Sequence, residues 1–287
     1  MNLPFEEVRL RLPHIELAAH LYGPADGQPV IALHGWLDNA ASFVRLAPKL
    51  PGLRIVALDF AGHGHSDHRP AGAGYALWDY AHDVLQVAEQ FGWQRFALLG
   101  HSMGAIVSVL LAGALPERVE RLALIDGLIP YTGEADSAPQ KLAEALKAQM
   151  ALAGKRKPVY AEFARAVEAR MRGVGAVSRE AAELLAQRGL MPVPGGYTWR
   201  TDSRLTLPSP LRLTQAHAMA FVRRLQCPVN LVLAEQGMLQ AQPRFGELLS
   251  GLPIALSRLP GGHHLHLDDE VGAQLVADCF NRFWRSP

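Results

Sequence analysis

Residues 96–114 read FALLGHSMGAIVSVLLAGA. The first four residues are an apolar run typical of a strand buried on both faces, and the residues after the second glycine have the pattern of a helix. Ser102 therefore lies in a G-x-S-x-G sequence at a strand-to-helix turn, where the flanking glycines leave room for the hydroxyl to project. This context predicts a nucleophilic serine. The alternative is a tight turn that contains an incidental serine.

Short aliphatic runs recur on both sides of this turn, at 30–33, 55–58, 122–125 and 228–233. Helical patterns at 76–91 and 104–114 fill two of the gaps between them. This alternation predicts an α/β fold with a mostly parallel central sheet and helices on both faces. The start of the chain differs, because polar and apolar residues alternate over 6–12 and 14–21, which predicts a hairpin.

Residues 131–210 interrupt the alternation of strands and helices. They contain helical stretches at 138–152, 159–172 and 178–188 and a turn-rich piece at 192–196. The alternation then resumes, with a helix near 240–250, a strand near 253–259 and a helix near 268–284. We therefore predict a core domain made of residues 1–130 and 211–287, with a helical cap insertion at 131–210. Such an insertion would cover the carboxyl edge of the sheet, where open α/β folds bind ligands.

Composition and charge exclude several classes of protein. Of the 287 residues, 49% are hydrophobic, and 28 basic against 27 acidic side chains leave a net charge of +1. This balance allows a large core, and the near-zero net charge gives no indication of binding to nucleic acid. No stretch approaches the roughly 18 apolar residues of a membrane span, and the first residues lack the features of a signal peptide. We expect a cytoplasmic protein without a membrane span. The sequence indicates no oligomeric state.

Residues 34–38, HGWLD, directly follow the run at 30–33. A serine nucleophile needs backbone N–H donors for the oxyanion that forms at the attacked carbonyl. One donor would be Met103, the residue after the nucleophile, and the other would come from a loop after an early strand, where we expect Trp36. The alternative is that Gly35 only serves a turn. We expect His34 to be structural.

Residues 260–266, PGGHHLH, lie between the last predicted strand and the last predicted helix. A general base for the serine should be a histidine held on a loop at the same edge of the sheet. Three histidines compete for this role. We choose His263, which directly follows the glycines, with His264 as the next candidate. We expect His266 to be packed or solvated.

These motifs together resemble the α/β-hydrolase superfamily over nearly the whole chain. Residues 59–67, DFAGHGHSD, resemble the loop that this family carries after its fourth strand. Residues 33–43, LHGWLDNAASF, more narrowly resemble the group called serine hydrolase-like proteins. The same holds for LAQRG at 185–189 and for the stretch at 200–205 in the insertion.

The resemblance implies a serine hydrolase without cofactor or metal. Ser102 would be the nucleophile, His263 the base, and the backbone N–H groups of Trp36 and Met103 the oxyanion hole. The implied reaction is cleavage of a carboxylic ester or thioester of a small acyl substrate through an acyl-enzyme. The alternatives are hydrolysis of a carbon–carbon or amide bond, and ligand binding without turnover. A serine nucleophile disfavours epoxide hydrolase and haloalkane dehalogenase activity, which resemble each other in using an aspartate there.

The acid of the catalytic triad departs from the usual pattern of the family. Most relatives place an aspartate in a G-x-x-D turn after the seventh strand, where this chain reads AEQG at 234–237. Glycine thus replaces that aspartate, and Glu235 comes two positions too early. Some relatives use the end of the sixth strand, where LIDG at 124–127 supplies Asp126. We assign Asp126 as the acid, and the alternatives are Glu235 or neither residue.

Two further patterns allow more than one interpretation. Residues 63–68, HGHSDH, spell the string that metallo-β-lactamase-type hydrolases use for two zinc ions. The string lies in a loop that the hydrolase pattern already explains, and it accounts for neither the serine nor the oxyanion loop, so we assign no metal. In the insertion, several large apolar residues would either line an acyl pocket or form the insertion's own core: Met150, Phe163, Met171, Met191 and Trp199.

Overall fold

A computed structural model describes residues 5–152, 154, 156–239 and 245–285. Its strands are β1 (Glu6–Arg11), β2 (Glu16–Tyr22), β3 (Gln28–Leu33), β4 (Leu53–Leu58), β5 (Phe96–His101), β6 (Val119–Ile125), β7 (Leu190–Val193), β8 (Gly196–Trp199), β9 (Val229–Gln236) and β10 (Ile254–Gly262). Its helices are α1 (Leu77–Gln90), α2 (Met103–Ala114), α3 (Ala138–Leu152), α4 (Phe163–Met171), α5 (Arg179–Gly189), α6 (Gln215–Arg223), α7 (Phe245–Leu249), α8 (Leu265–Asp268) and α9 (Glu270–Arg285).

Eight of the strands form one sheet in the order β1-β2-β4-β3-β5-β6-β9-β10. The pairs β1–β2 and β2–β4 are antiparallel, and the other neighbouring pairs are parallel. Side chains alternate between the two faces: Ile31 of β3 packs in a core with α1 and α2, and its neighbour Val30 packs in a core with α9. The predicted α/β-hydrolase architecture, with a mostly parallel sheet covered on both faces, is confirmed.

The strand order reverses between β3 and β5. The chain leaves β3 to form β4 on one side and then returns to form β5 on the other side of β3. Open α/β sheets bind ligands in the crevice outside the carboxyl ends of the strands at such a switch point. The loop at 34–38 and the turn at Ser102 follow these two adjacent strands, so the sheet brings both to the same crevice.

The structure also differs from the sequence-based expectations. The turn-rich piece at 192–196 belongs to a two-stranded hairpin, β7–β8, and α6 was not predicted. The hairpin strands have four residues each and are largely accessible, so they lack the buried runs that identify the central strands. Of the helix predicted near 240–250, residues 240–244 lie outside the described residues. Among the helices described, none is both long and apolar enough to cross a bilayer.

A small hydrophobic cluster is formed mainly by α4, α5 and the start of β7, and it also includes Leu267 of α8, outside the insertion. Phe163, Met171 and Trp199 pack against it and are partly buried. Met150 does not, because 85% of its surface is exposed. The core interpretation therefore fits three of the five apolar residues singled out in the sequence. The boundaries of a separate cap domain at 131–210 stay a prediction.

Candidate active site

Ser102 occupies a strained turn between β5 and α2. Its backbone has φ 52° and ψ −114°, in the left-handed range that non-glycine residues rarely adopt. The Ser102 N–H donates to the carbonyl of Ile125 at 2.9 Å, which fixes the turn to the adjacent strand β6. A Cβ atom at Gly104 would collide with the backbone carbonyl of Leu33, so helix α2 packs directly on β3. Ser102 thus lies at a strand-to-helix turn, as the G-x-S-x-G sequence predicts, and the structure adds that its backbone is strained.

The side chains of Ser102, His263 and Asp126 form a continuous chain of hydrogen bonds. Ser102 Oγ lies 2.9 Å from His263 Nε2, and His263 Nδ1 lies 2.5 Å from Asp126 Oδ2. An ionised carboxylate only accepts hydrogen bonds, so Nδ1 carries the proton and Nε2 accepts from the serine hydroxyl. His263 and Asp126 are buried, whereas Ser102 is partly accessible. The three predicted residues therefore lie in the arrangement that serine activation needs.

Asp126 fits its position because of a glycine directly after the neighbouring strand β9. It follows β6 with a left-handed φ of 42°, and its Oδ2 also accepts the N–H of Met238 at 2.9 Å. A Cβ atom at Gly237 would lie 2.5 Å from both carboxylate oxygens of Asp126. The carboxylate of Asp126 thus occupies the space that a side chain at position 237 would fill. Glu235, the alternative acid, is exposed at the end of β9.

The loop after β3 carries the main-chain N–H of Trp36. The indole Nε1–H of Trp36 donates to the carbonyl of Leu205 at 3.0 Å, and the Asp38 N–H closes the loop on the Gly35 carbonyl at 3.2 Å. Within the described part of the chain, no acceptor takes the main-chain N–H of Trp36. Met103 is the first residue of α2, so its N–H has no partner inside the helix. Both predicted oxyanion donors are therefore available for a ligand.

Two buried histidines support these loops. His34 donates from Nδ1 to the Gly35 carbonyl at 2.7 Å and accepts the Phe60 N–H at Nε2 at 3.0 Å. His101 donates from Nε2 to the main-chain carbonyl of His263 at 2.9 Å. Burial lowers the pKa of His34 and lowers that of His101 well below the ordinary value. Both histidines are neutral structural groups. The sequence gives no sign of the contact from His101 to His263, other than the position of His101 inside the G-x-S-x-G pattern.

A second buried polar network lies beside His263. Asp38 Oδ2 accepts from His264 Nε2 at 2.9 Å, and Asp38 Oδ1 accepts from Arg170 Nη2 at 2.7 Å. Burial favours a raised pKa for Asp38, but His264 and Arg170 bring this pKa well below its ordinary value, so the carboxylate is ionised. The next candidate base, His264, therefore faces Asp38. Neither Asp38 nor Arg170 is among the site residues predicted from the sequence.

The histidine string at 63–68 does not converge on one point. His63 accepts the Leu37 N–H at Nε2, and its Nδ1 lies 3.1 Å from the Ala61 carbonyl. His65 faces Glu7 at 3.3 Å, and His68 Nε2 lies 2.9 Å from a carbonyl of the insertion. The string thus binds separate protein partners, which does not fit a two-zinc site.

Within the described ranges, two other groups have potential metal-ligand atoms within 4.8 Å of one another: Asp38-His101-His264 and His14-His82-Asp83. In each group an arginine already binds the carboxylate, Arg170 at 2.7 Å in the first and Arg69 at 2.6 Å in the second. A guanidinium thus supplies the positive charge that a metal ion would bring. Both groups are consistent with internal ion pairs.

Comparison with known proteins identifies the family of the chain. Residues 28–166 match the model of the α/β-hydrolase fold family. A serine hydrolase-like protein of Danio rerio is 31% identical over 97% of this chain and 89% of its own length, and serine hydrolase-like protein 2 of Homo sapiens is 30% identical over 96% and 93%. The crystal structure of a hypothetical protein from Pseudomonas aeruginosa PAO1 is 79% identical, with a TM-score of 0.97 over 98% of this chain and 100% of that chain. The chain belongs to the α/β-hydrolase family and, within it, to the serine hydrolase-like proteins.

Proposed function

We propose that this protein is a serine hydrolase that cleaves a carboxylic ester or a thioester through an acyl-enzyme. The observation that carries the proposal is the hydrogen-bonded chain from Ser102 Oγ through His263 to Asp126, with distances of 2.9 Å and 2.5 Å. A structural serine does not require a buried histidine–carboxylate pair aligned on its hydroxyl. These three side chains lie at the carboxyl edge of the sheet, beside two backbone N–H groups suited to an oxyanion.

In the acylation step, Ser102 Oγ attacks the substrate carbonyl carbon while His263 Nε2 takes the hydroxyl proton. The carbonyl oxygen becomes an oxyanion and accepts from the N–H groups of Trp36 and Met103. Loss of one such donor in other serine hydrolases costs about 10²–10³-fold in rate. Asp126 accepts from His263 Nδ1 and stabilises the imidazolium. Collapse of the intermediate breaks the bond to the leaving oxygen or sulfur, which receives the proton from Nε2.

In the deacylation step, water takes the place of the leaving group. His263 Nε2 accepts a proton from that water as its oxygen attacks the acyl carbon, and the same pair of N–H donors stabilises the second oxyanion. Collapse then releases the carboxylic acid and returns the proton to Ser102 Oγ. The His263 ring keeps its orientation throughout, because its Nδ1 remains bound to Asp126.

In the same proposal, residues 131–210 act as a cap over this site. Two contacts support this role, one with helix α8 and one with the loop at 260–264, called here the histidine loop. The N–H and the Oγ of Ser178, at the start of α5, donate to the side chain and the main chain of Asp268 at 2.7 Å and 2.8 Å. The main chain at Gly175 packs against the ring edges of His263 and His264. The insertion thus lies on the loop that carries the proposed base.

The proposal is tested with a fluorophosphonate probe and intact-mass measurement. We expect one adduct on the wild type and none on Ser102→Ala or His263→Ala. His82→Ala removes an exposed histidine remote from the serine and serves as the matched control, which should label like the wild type. An unlabelled but folded wild type would refute the proposal.

Turnover separates an enzyme from a binding protein of the same fold. We expect p-nitrophenyl acetate and an acetyl thioester to be hydrolysed continuously, with a burst when deacylation is slow. A burst that is never followed by steady turnover would mean that the acyl-enzyme forms but does not resolve, and this would refute the hydrolase function. Labelling with hydrolysis of neither substrate would refute the assigned bond class and favour amide or carbon–carbon cleavage.

A further inference from the structure

Arg170 reaches from the last turn of α4 into the protein core. Its Nη2 donates to Asp38 Oδ1 at 2.7 Å, and its Nη1 donates to the carbonyl of Gly175 at 3.2 Å. The side chain of Arg170 is only 9% exposed, and that of Asp38 is 1% exposed. Asp38 lies two residues after Trp36. One guanidinium therefore links the loop that follows α4 to the loop that carries a proposed oxyanion donor.

Asp38 extends this link to the histidine loop. Its second oxygen, Oδ2, accepts from His264 Nε2 at 2.9 Å, and the side chain of His264 is 3% exposed. His264 directly follows His263, the proposed base. Because a buried carboxylate is costly without partners, the positions of Arg170 and His264 are coupled through Asp38. The Asp38 carboxylate thus fixes the loop that carries Trp36 to the loop that carries His263.

Gly175 completes the arrangement at His263. It has a left-handed φ of 60°, and a Cβ atom there would lie 2.9 Å from His263 Cδ2 and 3.0 Å from His264 Cε1. The main chain at Gly175 therefore packs against a ring edge that neither Ser102 nor Asp126 uses. With Nδ1 on Asp126, Nε2 at Ser102 and Cδ2 beside Gly175, the imidazole is held on three sides. Arg170 binds the carbonyl of this glycine.

We propose that Arg170 is a positioning residue for the reaction. It holds the loop at 172–178 against the His263 ring, and through Asp38 and His264 it sets the oxyanion loop and the histidine loop relative to each other. Arg170 contacts neither Ser102 nor the ring of His263, so it acts through these neighbours. This inference rests on the proposed function. It goes further by making the insertion a part of the catalytic geometry.

The first test is Arg170→Met, which keeps the apolar stem and removes the guanidinium. We expect the second-order rate of fluorophosphonate labelling, per folded molecule, to fall by about 10–100-fold, because displacements of about 1 Å at reacting groups have effects of that size. For a hydrolysed ester, the loss should appear in kcat rather than in KM. Arg45→Met is the matched control, since Arg45 joins the core to Glu180 of α5 at 2.7 Å without touching either loop. It should label like the wild type.

A second variant separates positioning from stability. Arg170→Met removes the guanidinium that pairs with the buried Asp38 carboxylate, so the melting temperature of this variant should fall. The double variant Arg170→Met with Asp38→Asn removes the uncompensated charge, while the amide oxygen still accepts from His264. We expect the melting temperature to recover and the labelling rate to stay low. Arg170→Lys restores a charge beside Asp38 but not the second contact at Gly175, and its rate should be intermediate.

The outcomes distinguish this inference from the proposed function. Wild-type labelling rates in Arg170→Met would show that the arginine is only structural and would overturn the inference alone. The same would follow if the labelling rate of the double variant recovered together with its melting temperature. A folded wild type that forms no adduct on Ser102 would refute the proposed function, and the inference with it.

Discussion

Replacing Gly237 by alanine would place one methyl group against the carboxylate of Asp126. The added Cβ would lie 2.5 Å from both carboxylate oxygens, about 0.9 Å closer than the 3.4 Å at which ordinary contact begins. Gly237 does not have a left-handed φ, so alanine introduces no backbone strain there. Any effect on activity therefore comes from the contact with Asp126.

The size of the effect follows from what holds the carboxylate. Asp126 Oδ2 is 2.5 Å from His263 Nδ1 and 2.9 Å from the Met238 N–H. A retreat of about 1 Å breaks or bends both hydrogen bonds and releases the imidazole. Misplacement by that distance costs up to about 10²-fold in rate, or about 2.7 kcal/mol of transition-state stabilisation.

The measurement is kcat/KM for p-nitrophenyl acetate together with the rate of fluorophosphonate labelling. Gly74→Ala is the matched control, because a Cβ atom at Gly74 has no neighbour within 4 Å and the residue has no left-handed φ. We expect the control to match the wild type and Gly237→Ala to lose up to about 10²-fold. A folded Gly237→Ala protein with wild-type kinetics would refute the reasoning, because the orientation of Asp126 would then not matter to His263.

Four further substitutions have defined expectations. Asp126→Asn should lower kcat by up to about 10⁴-fold. Glu235→Gln, at an exposed position, should leave kcat unchanged. The reverse result would show that the acid of the triad is misassigned. Gly175→Ala should slow labelling of the serine, since its Cβ meets the His263 ring in a strained backbone, and unchanged labelling would contradict that contact. Burial and the neighbouring His264 lower the pKa of His266 to about 3. Below a pH of about 6.5 the unfolded chain therefore binds a proton at His266 that the folded protein does not bind. The free energy of unfolding consequently decreases as the pH falls from about 6.5 towards 3. His266→Leu should reduce this loss of stability by up to about 1.4 kcal/mol per pH unit. The free energy of unfolding is measured with urea at pH 7.5 and pH 5, and an equally steep loss in the variant would contradict the expectation.

The central strands were predictable because burial on both faces leaves a local trace. The runs at 30–33 and 122–125 contain only aliphatic residues, and each lies within a strand of the sheet. The hairpin β7–β8 leaves no such trace, because its strands are short and largely accessible. Its turn was visible at Gly195-Gly196, but the pairing of the strands on either side depends on packing within the insertion.

The site was predictable to the extent that its signals are local. Ser102 has a glycine two positions away on either side, and His263 directly follows two glycines, so nearby glycines mark both turns. The choice between Asp126 and Glu235 depends instead on how β6 and β9 pair, since the register that sets Ile125 beside Val232 brings Asp126 against Gly237. A single sequence does not reveal that register.

The contacts that fix the second network join distant parts of the chain. Arg170 and Asp38 are separated by 132 residues, and Asp38 and His264 by 226. No spacing rule connects such positions, because the distance between them is set by the packing of α4 on the core. The sequence could therefore suggest an insertion, but not that Arg170 would join it to the loops that carry Asp38 and His264.

Backbone strain connects the fold to the chemistry. Among the described residues, the non-glycine positions with a left-handed φ are Leu37, Ser102 and Asp126. They follow β3, β5 and β6, three adjacent strands, and such conformations cost about 1–3 kcal/mol each and persist only where the surroundings impose them. Each of their N–H groups has a protein acceptor: His63 Nε2 for Leu37, and main-chain carbonyls for the other two. Because the sheet fixes these three loops, we expect differences in substrate preference to come from the helical insertion.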